Sequence, residues 1–302
     1  MYKGFPRGFL DFVTCQADGS ELRASTADPA DFILRGAATC VHCGACYPIE
    51  AGILDLTGTG GPVHPVSAQE RSARDRPLAR ERSAALRRAQ DHLDRLEIPS
   101  TVASLEPYAG KDIIDFGCGW GRITLRLLDQ ASRVLAIDFS RGLLTTLASR
   151  IEGRDNVALV LADATRVRLS PDSCDRALSS QVLEHLPGAD LRLAYYQAIL
   201  RPLRSEGIFV CTAYAHSLSR RIRRLPQDGF HDNGIYYHYF TRREIDRDIG
   251  RAFKILAIRP IRVEFPFVDR FGLSTAWLSS RSERIPLLNS FGRLLLVLAL
   301  KA

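Results

Sequence analysis

The sequence predicts an α/β protein: a mostly parallel sheet with helices on both faces, preceded by a small cysteine-rich unit. Three observations carry this. From residue 111 onward, apolar runs of strand length alternate with amphipathic runs of helix length. The first such run, "DIIDFGCGWG" at 112–121, ends in glycines at alternate positions. Four of the seven cysteines fall within the first 46 residues.

The N-terminal unit spans 1–62, is rich in small polar residues and closes on "LTGTGGP", a Gly-Pro run that reads as a boundary. Residues 63–110 read as a helical linker and lead-in helix. Within it Leu86, Ala89, Leu93 and Leu96 share one helical face, while Arg87, Arg88 and Arg95 fall elsewhere and read as a solvated face. Residues 111–302 form the main domain. "DIIDFG" is a buried strand followed by a helix over 121–131, and "RVLAIDFS" is a strand with Ser140 as N-cap of the next helix. "VALVLAD", "CDRALSSQV" and "GIFVCTAYA" are further strands, with "LRLAYYQAILRPL" as a helix before the last of them. Thr241 and Glu244 have capping-box spacing, and "KILAIRPIRV" and "LLLVLAL" supply two late strands.

Composition sets limits. The chain has 302 residues, 46% hydrophobic and 25% charged, which is ordinary for a soluble globular protein. The opening "MYKGFPRGFLDF" lacks the continuous apolar core of a secretory signal. The run "LLLVLAL" is far short of the roughly 20 residues a spanning helix needs. The expectation is a cytoplasmic protein without a membrane span. A formal net charge of +7 permits an acidic partner without requiring one.

Ligands of open parallel sheets bind beyond the carboxyl ends of the strands. The glycine loop sits at such an end and precedes a helix, whose N-terminus favours a carboxylate or phosphate. Asp138 follows Gly119 by nineteen positions, at the end of the second strand, where an acid can accept from both ribose hydroxyls. The spacing G-x-G-x-G differs from the dinucleotide pattern G-x-G-x-x-G, with Arg122 at the next position. These features suit an adenosine-type cofactor.

The ordered set "DIIDFGCGWGRIT", "VLAIDFS" and "LADATRVRLSPDSCDRALSSQVLEHL" resembles the class I S-adenosylmethionine-dependent methyltransferases, most closely those with small-molecule acceptors. The resemblance runs from 111 to the end and is strongest over 111–212. It implies a Rossmann-like, seven-stranded, mostly parallel sheet whose last strand is antiparallel. It further implies that Asp115, with the backbone at Gly117 and Gly119, holds the methionine end of S-adenosylmethionine. Asp138 would bind the ribose, with Phe139 against the adenine. Asp163, followed by Ala164, would meet the adenine amino group, and Gln181 opens the loop facing the sulfonium and the acceptor. The look-alike enzymes insert substrate-covering segments after the fifth strand, where residues 214–240 lie.

Methyl transfer to a hydroxyl calls for a base. His216 and His231, in the aromatic-rich stretch 214–240, are candidates, with His185 of "VLEHL" as a third. The family branch that methylates amino-purines carries an Asn/Asp-Pro-Pro-aromatic motif where this chain has "SSQV", and the Pro-Cys of cytosine C5 enzymes is absent. DNA is therefore not the expected partner. An RNA acceptor is the alternative, drawn from "RRIRR" at 220–224 and the nearby aromatics, and a non-catalytic scaffold is another.

Cys15, Cys40, Cys43 and Cys46 suggest a metal site. "CVHCGACYPIEAGI" resembles the second knuckle of the small zinc-ribbon proteins that activate tRNA methyltransferases. "CQADGSEL" resembles the first, with Asp18 where a second cysteine belongs. The expected zinc is structural, with Asp18 or Cys46 as fourth ligand. A ribbon that folds without metal, or an iron–sulfur cluster on Cys40, Cys43 and Cys46, are the alternatives.

Overall fold

The computed structural model describes residues 2–25, 31–59, 64–75, 84–263, 275–283, 285, 288 and 290–301. The expected boundary at 60–62 and the side chains of Leu86, Arg87, Arg88 and Ala89 lie outside the described residues.

The N-terminal part contains β1 (Phe5–Pro6), β2 (Leu22–Ser25), β3 (Phe32–Ile33), β4 (Arg35–Cys40), β5 (Cys46–Glu50) and β6 (Ile53–Asp55). Two helices follow, α1 (Pro65–Asp75) and α2 (Ala84–Ala103), where the sequence predicts one amphipathic stretch. The alternating region begins with β7 (Asp112–Phe116), α3 (Thr124–Leu127), β8 (Arg133–Asp138), α4 (Arg141–Ala148), β9 (Val157–Leu161) and β10 (Cys174–Ser180). It continues with α5 (Ala189–Leu200), β11 (Leu203–Tyr214), α6 (Leu218–Ile222), β12 (Asp228–Phe230), β13 (Tyr236–His238) and α7 (Arg242–Ile249). The last elements are β14 (Lys254–Ile261), α8 (Thr275–Ser282) and β15 (Leu294–Leu300).

α3 is much shorter than the helix expected over 121–131, because the chain first spends its glycines on a turn around the end of β7. Caps agree with the sequence. Ser140 Oγ accepts from Leu143 N at 3.3 Å, and Thr241 and Glu244 close a reciprocal capping box at the start of α7.

Strands β7 to β11 with β14 and β15 lie in the order β14-β15-β11-β10-β7-β8-β9. β15 runs antiparallel to both β11 and β14, as the resemblance implies. The sheet does not stop at β9. β6 pairs with it in parallel (Ile53↔Leu159, Leu54↔Val160, Asp55↔Leu161), and β5, β4 and β2 extend the same sheet to eleven strands. The N-terminal unit therefore covers what would otherwise be an open edge with unpaired backbone groups. It also shares the core: Phe5, Phe12, Tyr47 and Ile49 belong to one buried cluster with Ile114, Leu135 and Val160. Each such side chain contributes about 1.5–3 kcal/mol of burial. Arg133 clamps the join. It lies 4.3 Å from the Phe12 ring centroid and pairs with Asp11 at 2.8 Å and Asp112 at 2.7 Å. Among the described residues no helix is long and apolar enough to cross a membrane.

Candidate active site

A cavity of about 450 Å³ lies beyond the carboxyl ends of β7, β8, β9 and β10, within the size range of small-molecule sites. Asp115, Gly117, Gly119, Asp138, Phe139, Asp163, Ala164 and Gln181 all line it.

One wall is built from strand ends and main chain. Gly117 has φ 75°, and a Cβ there would lie 2.3 Å from Val182 Cγ2, so both conformation and space demand glycine. Gly119 has φ 56°, and a Cβ there would meet no atom within 4 Å; its outer side is open. Its N–H donates to Asp138 Oδ2 at 2.8 Å, and Ser140 N–H donates to Oδ1 at 2.9 Å. Asp138 is 4% exposed, and burial raises its pKa against the pull of these two donors. Asp115 accepts from Thr124 Oγ1 at 2.6 Å; burial pushes its carboxyl up to about 7, partly opposed by that hydroxyl. Asp163 Oδ1 accepts from Thr165 N at 2.9 Å and Thr165 Oγ1 at 2.6 Å, a local turn that fixes the carboxylate beside Ala164.

Gln181 adopts φ 56°, unusual for a side chain of its kind, and sits at the tip of β10. Glu97, fully buried on α2, holds it: Gln181 Nε2 donates to Glu97 Oε2 at 2.7 Å. Arg122 Nη2 donates to the same oxygen at 2.9 Å, and Ser180 Oγ donates to Oε1 at 2.9 Å. Burial works against ionisation of Glu97, but Arg122 and the hydrogen bonds outweigh it and hold the pKa below the usual range.

The other wall is made of side chains from separated segments: Glu70 and Arg74 of α1, His185 after β10, Tyr214 at the end of β11, and Ile235 before β13. α1 crosses the cavity held on two sides. Ser140 Oγ donates to Asp75 Oδ1 at 2.7 Å, and Gln69 Nε2 donates to Gly234 O at 3.1 Å. Glu70, 5% exposed, pairs with Arg74 at 2.6 Å, and burial raises its pKa despite that cation. His185 Nδ1 donates to Tyr236 O at 2.7 Å and lies 3.9 Å from Glu70 Oε1. Burial, with Arg74 nearby, lowers its pKa to about 3, so the ring is neutral near pH 7.

Of the three histidines expected as bases, only His185 lines the cavity. His231 is exposed, and His216 N–H donates to Phe240 O while its Nε2 is buried with no hydrogen-bond partner among the described residues. β11 ends at Tyr214, so the alternation that would carry His216 to the cavity side stops before it. The sequence reading missed Glu70, Arg74 and Glu97. Their one signal is acids placed inside Arg-rich helical runs, with Glu70 and Arg74 at i,i+4 spacing.

In the N-terminal unit, one ligand atom each from Cys15, Asp18, Cys40 and Cys43 lie within 4.8 Å of one another. Cys15 Sγ is 3.5 Å from Cys43 Sγ, and Cys40 Sγ is 3.5 Å from Asp18 Oδ1. A tetrahedral ion with bonds of about 2.3 Å spaces its sulfurs about 3.8 Å apart, so the four residues fit zinc. Asp18 joins this group and Cys46 does not; Cys46 is exposed on β5 beside Thr39. His42 Nδ1 lies 3.0 Å from Asp18 Oδ2 and orients that carboxylate.

A βαβ sheet with its cavity at the strand ends, a glycine turn after the first of those strands and acids after the next two define a methyltransferase-like α/β fold. Residues 114–211 match the family described as a methyltransferase domain. The chain is 32% identical over 162 residues to a demethylmenaquinone methyltransferase of Clavibacter sepedonicus, covering 52% of this chain and 60% of that protein. It is 32% identical over 108 residues to phosphoethanolamine N-methyltransferase 1 of Arabidopsis thaliana, covering 35% of this chain and 22% of that protein. The chain thus spans less than two thirds of either relative. Among solved structures, one from a complex between the Haloferax volcanii Trm112 methyltransferase activator and a methyltransferase superimposes with TM-score 0.52 at 17% identity, covering 71% of this chain and 92% of that one. The match is thus to a methyltransferase domain over 114–211, and the solved structure shares the fold.

Proposed function

We propose that this protein transfers a methyl group from S-adenosylmethionine to a small-molecule acceptor at a nitrogen or oxygen atom. The observation that carries the reading is a single cavity with two unlike walls. One is a main-chain hollow with carboxylates at successive strand ends; the other is a set of side chains suited to a second, smaller molecule. The named substrates of the similar proteins, a demethylmenaquinone and phosphoethanolamine, are both small molecules.

When bound, S-adenosylmethionine supplies a methyl group already activated on a sulfonium. The chain's own residues then have to bind, align and exclude water, and alignment alone is worth about 7–11 kcal/mol. In this reading Asp115 and the main chain at Gly117 and Gly119 hold the methionine end, and Asp138 takes the ribose hydroxyls. Phe139 lies against the adenine, and Asp163 with Ala164 meets its amino group. The Glu97 network fixes the main chain at Gln181 opposite the acceptor, and α1 closes the cavity. Cys15, Asp18, Cys40 and Cys43 would hold a zinc ion that is structural, since these ligands lie in the N-terminal unit and do not line the cavity.

RNA methylation is the second reading, favoured by the arginines at 220–224. Arg220, however, lies 3.5 Å from the Tyr239 ring centroid and donates to Pro226 O, so its guanidinium is engaged within the protein. Calorimetry with S-adenosylmethionine tests the main reading: folded protein that gives no binding heat contradicts it and leaves the scaffold. A steep loss of activity with added salt would point to RNA instead.

A further inference from the structure

We propose that Glu70 is the group facing the acceptor's reactive N–H or O–H, and that it takes the acceptor's proton. This rests on the methyltransferase reading and goes further by assigning a proton acceptor that no histidine supplies. Three carboxylates at the strand ends, Asp115, Asp138 and Asp163, fall on the cofactor side of the cavity. Among the described residues, Glu70 is the lining carboxylate on the opposite wall.

The geometry shows why Glu70 is available. Arg74 Nε and Nη2 approach the same oxygen, Oε1, at 2.7 and 2.6 Å. Oε2 accepts no hydrogen bond among the described residues. The carboxylate is therefore fixed in direction by one oxygen and open at the other. The titratable groups around it are Arg74 on its own helix, Glu184 and His185 after β10, and Asp138 at the end of β8; Glu184 is fully buried, and burial raises its pKa well above the carboxylate range. His185 is a poor competitor, because Tyr236 O holds its Nδ1–H and its ring resists protonation. α1 is itself fastened to the cofactor side by Asp75 on Ser140, so Glu70 has a set position relative to the strand ends.

The step balances. The acceptor heteroatom forms a bond to the methyl carbon as the carbon–sulfur bond breaks, with its electron pair leaving on sulfur. The heteroatom's own bond to hydrogen breaks, that pair stays on the heteroatom, and the proton goes to Glu70 Oε2, giving a neutral carboxylic acid. The acceptor class is a small molecule presenting an N–H or O–H donor.

The test needs no acceptor. Sinefungin carries an amine-bearing carbon in place of the sulfonium and its methyl, so its ammonium points where the methyl would leave. S-adenosylhomocysteine lacks that group. Affinities of both are measured by calorimetry on the full chain and on Glu70→Gln and Glu70→Asp. The expected result is an unchanged S-adenosylhomocysteine affinity in Glu70→Gln. The preference for sinefungin should fall about tenfold or more, as for a lost hydrogen bond to a charged group. Glu70→Asp should lose less. An unchanged preference in Glu70→Gln overturns the proposal. If Glu70→Gln does not fold, Glu70→Asp decides: a reduced preference supports the role and an unaltered one ends it. Failure of the parent protein to bind either compound overturns the methyltransferase reading itself, and this proposal with it.

Discussion

The two walls of the cavity are made differently. The cofactor side comes from residues 115–119, 138–139 and 163–164, at the ends of adjacent parallel strands. The acceptor side gathers Glu70, Arg74, His185, Tyr214 and Ile235 from four separate stretches of sequence. The first wall follows from the sheet topology itself. The second depends on how α1 and the segment around β12 and β13 fold over it. Substitutions should therefore separate: changes on the cofactor side remove cofactor affinity, and changes on the acceptor side spare it.

The largest effect is expected at Gly117. Alanine there would press on Val182 and require a left-handed backbone, costing about 2–4 kcal/mol of stability. Thermal or urea unfolding measures this, and a stability within 0.5 kcal/mol of the parent (about the limit of a neutral surface change) would show that the turn is not the rigid element described. Next comes the metal cluster. Because β6 pairs with β9, and Asp163 lies just beyond β9, the N-terminal unit braces only the cofactor side. Cys40→Ser should lose bound zinc by metal analysis, unfold at lower temperature and bind S-adenosylhomocysteine more weakly. Its preference for sinefungin should survive. Cys46→Ser should keep the parent's zinc content.

A smaller effect concerns pH. Burial pushes the Asp115 carboxyl up to about 7, above its ordinary value. Its contribution to the stability of the free protein is thus fully present below the unfolded value and is lost as pH rises through about 7. The cofactor's ammonium favours the ionised form, so the sign reverses for binding. S-adenosylhomocysteine affinity should rise by up to about tenfold per pH unit below 7 and level off above it. Calorimetry at pH 6 in buffers of different ionisation heat should show proton release, and proton uptake would contradict the assignment. The smallest effect is at Asp75. Its replacement by alanine removes the contact to Ser140 and should speed hydrogen exchange in α1 with little change in global unfolding.

The same contrast explains what could be read from the residues alone. The glycines and Asp138 lie beside the strand pattern that positions them, so local periodicity placed them at strand ends; Asp115 and Asp163 were implied by the family resemblance, and all of them line one cavity. Glu70 and Arg74 lie in an arginine-rich run that reads equally well as a solvated face; only the docking of α1 across the strand ends gives them a role. Glu97 is buried because Arg122 and Gln181 reach it from distant segments. The union of the N-terminal unit with the sheet was hidden for the same reason, since the pairing of β6 with β9 joins residues about a hundred positions apart. Asp18 and Cys46 were equal candidates for the fourth position in the sequence; the hairpin geometry of β4 and β5 groups Asp18, and not Cys46, with Cys15, Cys40 and Cys43.

In the proposed function Asp138 is the acid that grips the adenosyl group. Calorimetry of S-adenosylhomocysteine with Asp138→Ala, shown to be folded by its thermal transition, tests this most directly. A loss of affinity of about 100-fold or more is predicted, the size expected for two hydrogen bonds to a buried carboxylate. Binding as tight as the parent's would contradict it.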